Sequence, residues 1–153
     1  MNPSSTPLRR RLLACAAFAA LHLGVAQAQV NPPLPNAPLS AGVHVIHAEV
    51  ARTPMEQQIG LMNRQDLQDN NGMLFVLDEP RLECMWMRNT LVPLSVAFIG
   101  ADGSIVNIED MKARTDDTHC ATAPVSYALE MPLGWFKKIG IKAGSKIRGL
   151  PTR

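Results

Sequence analysis

Three consecutive polar residues, Arg88, Asn89 and Thr90, stand between two apolar segments at 84–87 and 91–99, where hydrophobic patterning does not ask for them. One chemistry they offer is recognition. The forked guanidinium of Arg88, or that of Arg64 upstream, suits a carboxylate, a phosphate or a sugar hydroxyl at a pocket mouth. The competing reading is structural, with Asn89 and Thr90 bonding backbone groups at a bend and Arg88 pairing with an acid. Glu130 is the one candidate for general-acid work. It alternates with Tyr127, Leu129 and Met131, a pattern that sends it to the polar face of a strand, and an acid needs a second carboxylate or an imidazole in reach. Glu109, Asp110, Asp116 and Asp117 supply one only if the loop carrying them folds back. No nucleophile–base pair is visible, so the chain reads as a binding module before an enzyme.

Met85 and Met87 share one face of an extended segment, and Cys84 and Trp86 share the other. The plain reading is that the methionines fill core and Trp86 packs against a cystine. A minor alternative is a copper(I) site, since two thioethers with His119 nearby are soft ligands. His44 and His47 are three apart, which on a strand points them to opposite faces, and neither has the spaced partners of a zinc site. The sequence therefore implies no resident metal and no cofactor.

The compartment bears on the cysteines. Arg9, Arg10 and Arg11 precede an apolar run from residue 12 to about residue 25 and then Ala26-Gln27-Ala28, the pattern of a secretory signal peptide over residues 1–28. The run is shorter than the roughly 20 residues of a bilayer span. The expected destination is the periplasm or the medium. Cleavage removes Cys15 and leaves Cys84 and Cys120, an even pair that an oxidising compartment favours as a disulfide. Cleavage also removes three of the fifteen basic residues and none of the thirteen acidic ones, leaving a net charge of −1. Such a chain lacks the basic stripe that nucleic acid or an anionic membrane requires.

The elements that must position these residues follow from local signals. Residues 29–42 carry Pro32, Pro33, Pro35 and Pro38 without a hydrophobic period and read as a stiff tether. Residues 43–51 alternate as a strand. Thr53-Pro54-Met55-Glu56 is a capping box with proline at the first helical position, and Met55, Ile59 and Met62 form the stripe that this short helix should bury. Residues 69–72 turn, 73–77 read as a buried strand, and 78–81 turn again. The strand at 91–99 joins 104–111 through the Gly100-Ala101-Asp102-Gly103 hairpin loop. Residues 112–124 read as a long loop pinned at Cys120, residues 127–131 as a strand, Pro132 as the start of a second short helix carrying Trp135, Phe136 and Ile139, and 146–150 as a last strand. The sum is an α+β domain over 43–150, a mostly antiparallel sheet curled toward a small barrel with two short helices.

Residues 43–150 resemble the DUF192 family (domain of unknown function 192). The resemblance rests on G-L-M-N-R at 60–64, N-G-M-L-F at 71–75, W-M-R-N-T with P-L at 86–94, A-F-I, D-G and I-V at 97–106, Y-A-L-E at 127–130, and G-W with G-I-K-A-G at 134–144. It implies a compact, mainly β, often exported domain and no agreed activity. The chain departs from the family's pattern at Ser95 and Ser145, where aspartates are common. The functional expectation is a periplasmic binding or accessory module for a small polar or cell-envelope ligand, at Arg64, Arg88, Asn89 and Thr90. The alternatives are an envelope hydrolase using Glu130 and a structural or protein-interaction module.

Overall fold

A computed structural model describes Met1 and residues 31–152. The leader expected over 1–28 lies outside the described residues. Among the described residues, nine strands and two helices run in the order β1 (Asn36–Ala41), β2 (His44–Ala51), α1 (Pro54–Ile59), β3 (Asn71–Arg81), β4 (Cys84–Met85), β5 (Leu94–Ile99), β6 (Ile105–Met111), β7 (His119–Cys120), β8 (Val125–Pro132), α2 (Trp135–Lys138) and β9 (Ile147–Arg148). Seven strands form one curled, half-barrel sheet in the order β6-β5-β8-β3-β2-β1-β9, and β4 pairs with β7 as a separate two-stranded ribbon. The margins of the large sheet meet at one end, where Ser104 bridges to Lys146 and Gly144 N–H donates to the Ile105 carbonyl at 2.8 Å. Among the described residues, no helix is long and apolar enough to cross a membrane.

The α+β, mainly antiparallel expectation holds with one parallel pair. β2 and β3 run parallel because α1 carries the chain from one to the other as a crossover. The tether expected over 29–42 is corrected in its second half: Asn36–Ala41 is a strand that pairs with β2 along its whole length and buries Leu39 and Ala41. Proline is tolerated there because β1 pairs on its other side only at Ser40 and Ala41, so Pro38 has no second ladder to supply with an N–H. The turn expected at 78–81 is instead the exposed end of β3, where the ladder with β8 shifts register between Val76 and Arg81. Pro132 ends β8 and does not open a helix. α2 begins at Trp135, after Gly134 has turned the chain at φ 75°.

The sheet is covered on both faces. One layer joins Leu39, Ile46, Leu74, Val76, Leu129, Met131, Trp135 and Phe136; the other joins Leu61, Met73, Phe75, Leu77, Met85, Met87, Val96, Phe98 and Ala128. Alternation along β3, β5 and β8 divides the residues between the two layers. β8 lies between β5 and β3, and its residues 125–131 are all buried.

Candidate functional site

The second layer is roofed incompletely, and the reason lies in α1. Thr53 caps the helix through Oγ1, which accepts the Glu56 N–H at 3.2 Å, while Glu56 Oε2 accepts the Arg52 and Thr53 N–H groups at 2.8 Å each. Those bonds hold the Glu56 carboxyl below its ordinary range. Gly60 closes the helix after six residues at φ 48°, and a Cβ there would stand 3.2 Å from the Phe75 ring. The stripe expected to be buried is not: Met55 is exposed, Ile59 and Met62 are half-buried, and Leu61 beyond the helix enters the core in their place. So short a helix leaves a gap over the sheet.

The opposite wall is a strap formed by residues 83–90. Cys84 and Cys120 face each other across β4 and β7 and are joined by a disulfide, as the even pair predicts. Met87 N–H donates to the Thr115 carbonyl at 3.2 Å, Arg114 N–H to that of Thr90 at 3.0 Å and Ala121 N–H to that of Glu83 at 2.8 Å. Loop 112–124 thus holds the strap in place. Met85 and Met87 fill core, as expected.

Between strap and helix lies a cavity of about 200 Å³, lined by Gln57, Gln58, Ile59, Leu61, Phe75, Leu77, Glu83, Met85, Trp86, Thr90 and Glu130, among others. Glu130 is 4% exposed, and its register partners on the flanking strands are Met73 and Val96. Among the described residues, none donates a hydrogen bond or pairs an ion with its carboxyl. Desolvation alone pushes its pKa from 4.5 up to about 8. The carboxyl is therefore mostly neutral at pH 7, able to donate one hydrogen bond and accept others. Thr90, 5% exposed, lines the same cavity.

The polar face expected for Glu130 is thus corrected. β8 has no solvent face, because β5 and β3 beside it are buried on both sides. That signal was present in the sequence: L-S-V-A-F-I and G-M-L-F-V-L are nearly unbroken apolar runs, the mark of strands covered on two faces. An acid on a strand between two such strands has to be buried.

The expected site residues do not share one pocket. Arg64 is absent from the lining of this cavity; its Nη2 donates to Glu49 Oε2 at 2.8 Å, and its Nε is buried without a partner among the described residues. It lines a separate groove with Asn36, His47, Glu49, Asp66 and Asn71. Arg88 is exposed; its Nε is 2.7 Å from Asp116 Oδ1, and its guanidinium lies 4.6 Å from the centre of the Trp86 ring. Trp86, 40% exposed, stacks on that cation at the cavity rim. Asn89 turns the chain at φ 60°, a conformation asparagine tolerates, and its carbonyl accepts the Asn63 N–H at 2.9 Å. Only Thr90 of the four reaches the Glu130 cavity.

The carboxylates foreseen as partners for Glu130 are elsewhere. Asp110 accepts from Ser95 Oγ, Asp116 pairs with Arg88, and Glu109 lies on the line Glu109–Val96–Glu130–Met73–Glu49 that crosses the sheet. At a strand spacing of about 4.8 Å, Glu109 and Glu49 are each about 10 Å of backbone from Glu130. The second carboxylate of the cavity is Glu83, paired with Arg81 at 2.6 Å. His119 stands directly opposite Met85, with Nε2 buried and unpartnered. No group of three or more His, Cys, Asp and Glu among the described residues is placed to hold a metal.

Comparison with known proteins places these features in a family context. The DUF192 family profile, described as uncharacterized ACR, matches residues 37–149. A crystal structure of a candidate transcription regulator from Sinorhizobium meliloti 1021 is 31% identical with a TM-score of 0.73, covering 78% of this chain and 97% of that one. A protein of unknown function from Novosphingobium aromaticivorans DSM 12444 is 35% identical, also at 0.73, covering 81% of this chain and 94% of that one. Among curated proteins, none matches.

Proposed function

The chain belongs to the DUF192 family, and we propose that it is a binding domain for a small polar ligand, exported to the periplasm or beyond, with the Glu130 cavity as its site. One observation carries this reading: a carboxyl that is 4% exposed and unpartnered lines a cavity instead of being sealed in core. Leaving such a group without a hydrogen bond costs about 1–3 kcal/mol, which a ligand reaching it recovers on binding. Thr90 adds a second polar contact, and Leu61, Phe75, Leu77 and Met85 supply apolar walls. That combination suits a ligand with one polar head and a short apolar body. Export is supported by the leader-like residues 1–28 and by the bonded cysteine pair, which an oxidising compartment maintains.

Amide chemical-shift mapping with 1-propanol, propanamide and propylammonium tests the site. Perturbations are expected to gather at Gly60, Phe75, Trp86, Thr90 and Glu130, and to vanish in an Ile59→Trp variant that fills the gap. Shifts confined to other regions, or none with any of the three, contradict the proposal. Export predicts a mature N terminus at Gln29 in protein recovered from a secreting cell; an intact leader on the recovered protein contradicts it.

A second reading has its own observation. Glu83 and Glu130 line one cavity, the first ion-paired and the second neutral, an arrangement that can divide base and acid roles in hydrolysis. This reading predicts cleavage of aryl glycosides or esters that Glu130→Gln and Glu83→Gln each abolish. Turnover indifferent to both variants removes it.

A further inference from the structure

We infer that the ligand of the Glu130 cavity is a cation, a small primary or secondary ammonium with a short apolar tail. This deepens the binding reading above and rests on it. Among the described residues the cavity lining includes two carboxylates, Glu83 and Glu130, and no arginine, lysine or histidine. Glu83 is already paired with Arg81, so the acid left to a ligand is Glu130 on the floor, which once ionised repels an anion. The forked-cation recognition that the sequence offers through Arg64 and Arg88 has no counterpart inside this pocket.

The surrounding acids sharpen the point. Glu83 has Arg81 at 2.6 Å, Glu49 has Arg64 at 2.8 Å, and Asp116 has Arg88 at 2.7 Å. Glu109 accepts from Asn107 at 3.3 Å, and His119, opposite Met85 on the strap side, makes no ion pair with any of them among the described residues. Glu130 alone in this neighbourhood is nine-tenths buried, without a cation and open to a cavity. Once its proton has left, the group that completes it is a cation. A volume of about 200 Å³ lies below the 300–1,000 Å³ typical of drug-sized ligands and restricts the tail to a few carbons.

Binding is an acid–base event without covalent change. An alkylammonium enters, the Glu130 carboxylic acid gives its proton to buffer, and an N⁺–H···O⁻ pair forms. At pH 7 close to one proton is released for each ligand bound, and apparent affinity rises about tenfold between pH 6 and pH 7 as the carboxylate becomes accessible.

Isothermal titration with propylammonium, 1-propanol and propionate, repeated in two buffers of different ionisation enthalpy, separates the outcomes. The expected result is binding of propylammonium at least tenfold tighter than of the other two, with proton release. Glu130→Gln should lose that preference while retaining any binding of 1-propanol, and Thr90→Val should weaken both. If 1-propanol or propionate binds as well as propylammonium, or if no proton is released, the cation inference falls and the pocket stands. If none of the three binds, pocket and inference fall together.

Discussion

Replacing Glu130 by glutamine removes a titrating group and keeps its shape, which makes the energetic cost of the buried acid measurable. With a native pKa of about 8 against 4.5 when unfolded, the folded state holds a proton that the unfolded state has lost over the interval between them. Unfolding then releases that proton, so stability falls as pH rises. The contribution is complete below pH 4.5, declines through the window and is lost above pH 8. Each pH unit inside the window costs about 1.4 kcal/mol, so between pH 4.5 and pH 7 the wild-type protein loses about 3 kcal/mol relative to Glu130→Gln. Urea unfolding of both proteins at pH 5, 6, 7, 8 and 9 supplies the test, because the other carboxylates cancel in the difference. A difference that widens in favour of the variant up to pH 8 and then levels is expected. Parallel stability profiles across that range would refute the assignment of Glu130 as a desolvated, unpartnered acid.

Other perturbations probe the walls of the cavity. Reduction of the Cys84–Cys120 bridge, which spans 36 residues, should cost about 4 kcal/mol in the chain-entropy description and loosen the strap; unchanged urea midpoints with and without reductant would count against this. Thr53→Ala should cost about 1 kcal/mol by removing the cap of α1 and should weaken propylammonium binding, as thermal melting and titration would show. Gly72→Ala should destabilise by about 1–3 kcal/mol, since its Cβ would stand 2.3 Å from the Glu130 carbonyl and 2.5 Å from Met131 Sδ; a stability within about 0.5 kcal/mol of wild type, about one-third of a factor-of-ten change in equilibrium, would contradict the close approach of β3 and β8.

Local signals carried most of the fold. The capping box at Thr53 and the hairpin at 100–103 each fix a few residues of backbone through short-range bonds, and the structure has them where local chemistry puts them; β8 is a strand where the sequence expects one, though buried on both faces. What escaped were properties of partners distant in sequence. The parallel β2–β3 pair depends on where α1 delivers the chain, and β1 becomes a strand despite its prolines because β2 supplies a full ladder on one side. The site followed the same division. Cys84 and Cys120 were legible from count and compartment, and Arg88 takes the pairing with an acid that the sequence offered beside ligand recognition, through Asp116, whereas nothing local showed that Arg64 is committed to Glu49. Glu130 was legible as a candidate acid but assigned to a polar face, because the two-sided burial of β8 is set by β5 and β3 and by what covers them.

The most direct test of the central claim is a carbon-13 NMR titration of the Glu130 side-chain carboxyl, in the free protein and with saturating propylammonium. A buried, unpartnered acid at the floor of a cation site predicts a free midpoint near 8 that moves toward lower pH when the ammonium is present. A free midpoint in the ordinary glutamate range near 4.5, unmoved by the ammonium, would contradict the account.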